Sequence, residues 1–241
     1  MSETASEPGS TASLTESLWP DPPRTKRGPK PRLTRDEIVS AAAATADTDG
    51  IDAVTMQRVA DALGVAKMSL YRYVPGKTEL VALALDHTLG NPPTLRSGSW
   101  RDRLRGWAIA LHRCMSTHPW SLDITVGTRI PGPHELAWFE EGLLALRETP
   151  LDGSQRLDVL AMLTFHVRGS AQQRSGSDRP EAELAELLGP VLATHSDRFP
   201  ETAAAFADPI GRTRRDDAFS FGLDRILDGV ATLIAEGTHS G

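Results

Sequence analysis

Three glycines, Gly50, Gly64 and Gly76, break residues 34–89 into short segments, and each segment carries apolar residues at helical spacing rather than in strand alternation. Thr34 followed three residues later by Glu37 predicts a capping box at the head of a first helix, which runs through an alanine-rich stretch, 41–46, to Gly50. A second helix is predicted after Thr55, with Val59, Ala62 and Leu63 on one face, and it stops at Gly64. The segment VAKMSLYRYV then predicts a short third helix, Pro75 and Gly76 a turn, and 77–89 a longer helix that the NPP at 91–93 closes. Further helical spacing recurs from Trp100 to His118, over 133–147, over 154–175 and over 216–236, while no segment alternates like a strand over any length. The expected class is all-α, with an N-terminal helix-turn-helix domain and a C-terminal helical domain.

The short third helix is too polar to be core. Val59, Ala60, Leu63, Val65 and Leu70 suffice to pack it on its predecessor, which leaves Ala66, Lys67, Met68, Ser69, Tyr71, Arg72 and Tyr73 facing outward. In a helix-turn-helix the second helix lies in the major groove. There lysine can donate to guanine edges or phosphate, methionine can touch a thymine methyl, and tyrosine hydroxyls can reach phosphate oxygens. Charge placement agrees with a polyanion partner: the chain is −6 overall, yet residues 24–80 hold ten Lys and Arg against seven Asp and Glu, including every lysine of the protein. Lys77 opens a helix, where a cation opposes the macrodipole unless an anion such as phosphate sits beside it. The PGKT at 75–78 is no nucleotide loop, because the first glycine of that motif would fall on Tyr71.

The string TRDEIVSAA at 34–42, continued by DGIDAVTMQRVADALGVAKMSLYRYVPGKTELVALAL at 49–85, resembles the DNA-binding domain of the tetracycline-repressor (TetR) family. The resemblance implies recognition-helix contacts from Lys67, Met68, Ser69, Tyr71 and Tyr73, a phosphate clamp at Lys77, and backbone-side contacts from Thr55 and Gln57. The C-terminal half is more weakly similar to the same family through HPW at 118–120 and FSFGLDRILDGV at 219–230. It implies a ligand-binding, dimerising domain in which the two long helices near 154–175 and 216–236 build a four-helix interface between subunits; an intramolecular bundle is the alternative.

Residues 1–32 are rich in Ser, Thr, Glu, Pro and Gly and are expected to form a disordered arm. Its basic end carries Lys26, Arg27, Lys30 and Arg32, and it is expected either to enter a minor groove or to serve as a plain linker. The remaining boundaries follow as 33–90 for DNA binding and 98–237 for ligand binding and dimerisation. Trp107, Met115, Trp120, Trp138, Phe139, Met162, Phe165 and His166 are the candidates to line an apolar effector cavity, with His112 or Arg168 as further polar contacts; each taken singly is equally compatible with ordinary core. The lone Cys114 excludes an internal disulfide framework and a four-thiolate zinc site, and neither a metal ligand set, a cofactor nor a catalytic motif is expected. No signal segment or membrane-length apolar run is evident, so a soluble cytoplasmic protein is expected. Together these features lead to a homodimeric, non-enzymatic transcriptional regulator, released from a palindromic double-stranded DNA operator by a small apolar molecule. The alternative is a DNA-binding dimer with no small effector.

Overall fold

The computed structural model describes residues 9–20, 33–125, 129–174, 179–207 and 218–239. Among them lie twelve α-helices and no strand. They divide into two compact units, residues 1–94 with 117–141, and residues 95–116 with 142–241. Residues 117–141, which sequence reasoning assigns to the C-terminal domain, thus pack with the N-terminal unit.

The first unit opens with α1 (Thr11–Leu18), followed by α2 (Arg35–Asp49), α3 (Met56–Ala62), α4 (Lys67–Leu70) and α5 (Lys77–Leu89), and it also holds α7 (Trp120–Ile124) and most of α8 (Pro133–Ala145). The expected capping box is present on α2: the Glu37 amide donates to the Thr34 hydroxyl at 3.2 Å, and the Thr34 amide donates to the Glu37 carboxylate at 2.7 Å. Thr55 caps α3 by accepting from the Arg58 amide at 3.1 Å. The turn from α3 into α4 passes through Gly64 at φ +65°, a left-handed conformation that glycine adopts without a Cβ penalty. Ile38, Val54, Val59, Leu70, Val74 and Leu80 are fully buried around that turn and make the core on which the exposed side of α4 rests.

α1 departs from the expectation of disorder through residue 32. It packs on α5, with Leu18 buried and Arg35 donating to the Ser17 carbonyl. The polar centre of this contact is Glu79 of α5, which is fully buried. One of its oxygens accepts from the Ser13 hydroxyl and from the Gly9 amide, each at 2.5 Å, while the other has no hydrogen-bond partner. Burial pushes the carboxyl pKa up, but the bonds from Ser13, Gly9 and its own amide outweigh that and hold it below its ordinary value. The ionised form therefore contributes stability above the unfolded-state pKa, and that contribution disappears as pH falls through the lower folded-state value. Ser13→Ala leaves a buried carboxylate short of a donor and is expected to cost about 1–3 kcal/mol at neutral pH. The penalty should shrink in acid, where the carboxyl is protonated; urea unfolding across a pH series reads both, and a pH-independent penalty would contradict the assignment.

The second unit contains α6 (Trp100–Thr117), α9 (Gly153–Arg174), α10 (Pro180–His195), α11 (Pro200–Ala207) and α12 (Ala218–His239). α9 packs along α12 and buries Val159, Leu160, Leu163 and Val167 together with Leu223, Leu227 and Val230. Arg101 meets Asp228 at 2.5 Å and Arg105 pairs with Asp224, tying α6 to α12. The same two packed helices leave Leu157, Phe165 and Phe221 exposed, the last two by 72% and 63%.

Candidate functional site

The helix-turn-helix exposes part of its expected face. Lys67, Met68, Tyr71 and Arg72 are exposed around α4, Met68 by 73% and Tyr71 by 39%, whereas Ser69 and Tyr73 are half-buried. The Lys67 ammonium lies 6.0 Å from the centre of the Tyr71 ring, at the outer reach of a cation–π contact. Ahead of them on α3, Gln57 is exposed and donates to Asp61 at 2.8 Å, and Thr55 is exposed while its hydroxyl caps the helix. Lys77 is exposed in the first turn of α5, whose N-cap, Gly76, offers no side chain to the terminal amides. A cation, a helix head whose N-cap has no side chain, and an aromatic, apolar surface thus lie on consecutive elements, a combination suited to phosphates and base edges. Lys26, Arg27, Lys30 and Arg32 lie outside the described residues.

At its other end α5 is locked to α8 by reciprocal capping. Asp86 of α5 is buried and accepts from the amides of His134 and Glu135 at 3.0 and 3.1 Å, and its second oxygen lies 2.8 Å from His134 Nδ1. In return, the Trp138 indole of α8 donates to the terminal carbonyls of Leu89 and Gly90 at 3.2 and 3.1 Å. Each helix satisfies end groups that the other would leave orphaned. Gly132 makes this possible, since a Cβ there would stand 2.2 Å from Asp86 Oδ1. Sequence periodicity gives no sign of either cap, because the partners are about 50 residues apart and each side chain reads locally as ordinary surface or core.

The expected effector residues fall in both units. In the first, Trp120 donates to Asp47 at 2.6 Å, Trp138 caps α5, and Phe139 is partly exposed. In the second, Trp107 and Met115 are buried, while Met162 and Phe165 are exposed. Trp107 shares a close approach with Leu160 around Gly142. His166 belongs to a cluster that sequence reasoning did not assemble. The ring of Phe219 is stacked on two imidazoles, His112 at 4.1 Å and 23°, and His166 at 5.5 Å and 4°. His166 Nε2 is 2.8 Å from the Phe219 carbonyl, which can only accept, so that nitrogen carries the proton. Gly222 admits the ring, as a Cβ there would approach His166 Cε1 to 2.3 Å. His112 is buried and its Nε2 has no hydrogen-bond partner. Burial, then the charges of Arg174 and His166, lower its pKa, which favours the neutral ring.

A helix-turn-helix with such a face, followed by a separate helical unit, defines a DNA-binding regulator. The family described as bacterial regulatory proteins, tetR family, matches residues 38–84, and the tetracyclin repressor-like C-terminal domain matches residues 92–234. The HTH-type transcriptional repressor DrrR1 of Streptomyces coeruleorubidus is 38% identical over 95% of this chain and 88% of its own length. An HTH-type transcriptional regulator of Saccharopolyspora erythraea is 33% identical over 78% of this chain and 81% of its own. Among solved structures, ActR of Streptomyces coelicolor in complex with actinorhodin is 25% identical and superposes with a TM-score of 0.71, covering 86% of this chain and 99% of that one. The chain belongs to the tetracycline-repressor family of DNA-binding transcriptional regulators, and several of its relatives, DrrR1 among them, are named as repressors. Among the described residues no helix is long and apolar enough to cross a membrane.

Proposed function

We propose that the protein is a homodimeric repressor released from a palindromic operator by a small, flat, largely apolar molecule. The observation that carries its DNA-binding part is the exposed set Lys67, Met68, Tyr71 and Lys77 on a fully buried scaffold. Ser69, Tyr73, Thr55 and Gln57 complete the proposed surface. Dimerisation is supported by the exposed apolar residues Leu157, Phe165 and Phe221 on α9 and α12, and by Gly229, which has open space where a Cβ would point. A two-fold pair sets its recognition helices about 34–36 Å apart, one turn of DNA.

The effector part is supported by the aromatic cluster of the second unit, in which the Phe219 ring is stacked on His112 and on His166, a surface that a flat ring from a ligand would match. ActR, a relative in fold, is solved with a small molecule bound. A ligand that prefers the conformation unable to span two grooves shifts the population off DNA, and by linkage DNA weakens that ligand equally. A second reading, a dimer with no small effector, makes the opposite forecast in the same experiment. Operator binding followed by anisotropy against a library of aromatic compounds should yield releasing compounds; a library without any favours the second reading. Phe219→Ala removes the competing ring, so effective compounds should act at about 2- to 12-fold lower concentration, the equivalent of one aromatic pair. Unchanged potency would place the effector elsewhere.

A further inference from the structure

Where α1 lies over α5, the first unit holds a partly open cavity of about 170 Å³. Its walls are mainly aliphatic: Leu14 from α1, Val81, Ala82 and Leu85 from α5, and Ile124 and Ile130 from the segment before α8. The polar edge is formed by Asp86, by Thr78, and by Arg129, which is held in a two-pronged pair with Glu135 at 2.5 Å on each arm. That pair engages two of the five N–H donors of the guanidinium. A dry aliphatic cavity of roughly 150 Å³ is enough to hold one benzene ring. We propose that this cavity is a second small-molecule site, distinct from the His112–Phe219–His166 cluster, and that it takes a single aromatic ring bearing one oxygen, a phenol in the simplest case. The ring meets the leucine, valine and isoleucine walls, and its oxygen faces Arg129, Thr78 and Asp86.

An occupant would hold α1 and the segment around Ile130 against the helix that carries Lys77. That consequence for operator binding rests on the DNA-binding reading, whereas the site itself does not. The test therefore omits DNA. The full chain, with isoleucine methyl groups labelled, is titrated with 4-fluorophenol while fluorine and methyl resonances are followed. Saturable binding that shifts Ile124 and Ile130 but leaves Ile226 of the second unit unmoved is the expected result. Ala82→Leu fills the cavity from α5 and Leu14→Phe fills it from α1, and either is expected to weaken binding at least about tenfold; Phe219→Ala should leave it unchanged. Absence of saturable binding to the parent up to the solubility of the probe overturns the proposal. So does binding that leaves Ile124 and Ile130 unmoved, a result that stands even if both filled variants fail to fold.

Discussion

Replacing Lys77 by alanine is expected to lower operator affinity by about 5- to 150-fold, the equivalent of 1–3 kcal/mol, while leaving the thermal midpoint where it is or slightly higher. The two halves of that expectation have one cause. Lys77 stands exposed in the first turn of α5, where its charge opposes the helix dipole and the N-cap, Gly76, has no side chain to offer. In the free protein the lysine is thus a small electrostatic liability; beside a phosphate it is an asset. Tyr71→Ala should behave similarly, since the residue is 39% exposed and its ring lies beside Lys67. Anisotropy on a selected operator and melting curves of the same samples measure both halves. Wild-type affinity in both variants would remove α4 and the head of α5 from the DNA surface.

Neutralising Lys26, Arg27, Lys30 and Arg32 together is expected to produce the largest change in salt dependence. If half of these cations lie near phosphate in a dimer, the slope of log affinity against log salt becomes shallower by roughly three to four units, at about 0.9 per phosphate. Preference for the half-sites should survive if, as proposed, it belongs to the Lys67–Tyr73 face. Deleting residues 1–32 looks like the simpler experiment, but it also removes α1, and with it the donors that Ser13 and Gly9 supply to Glu79. Any change would then mix lost cations with a disturbed α5. Substitution of the four side chains by glutamine keeps the two apart, and an unchanged slope in that variant identifies the segment as a plain linker.

The elements that the sequence declares are those whose causes are local. Thr34 with Glu37, Thr55, Gly50 and Gly64 start and stop helices through groups within a few residues, and the structure follows them closely. Residues 154–175 and 216–236 likewise correspond to Gly153–Arg174 and Ala218–His239. α10 escapes notice because Gly189 and Pro190 interrupt it, a pair that locally argues against a helix. α1 escapes for the opposite reason: TASLTESL has little helical propensity of its own, and Glu79, 66 residues from Ser13, supplies what holds it. The site divides in the same way. Outward residues of α4 are legible because core positions can be subtracted from a short helix, whereas the stacking of His112, Phe219 and His166 joins three helices that no periodicity relates.

The exchange of end-caps between α5 and α8 also bears on how sharply such a molecule can respond. Hydrogen bonds of this kind weaken steeply with distance and angle, so the joint does not yield by degrees. Asp86 either holds the amides of His134 and Glu135 or it leaves a buried carboxylate and the head of α8 bare, and Trp138 leaves the tail of α5 bare at the same stroke. Any displacement of α5 from the head of α8 therefore meets a threshold, the cost of uncovering several polar groups at once. Below it the helix carrying Lys77 does not move. Above it these bonds are lost together, so the joint that fixes the helix carrying Lys77 behaves as a two-state element.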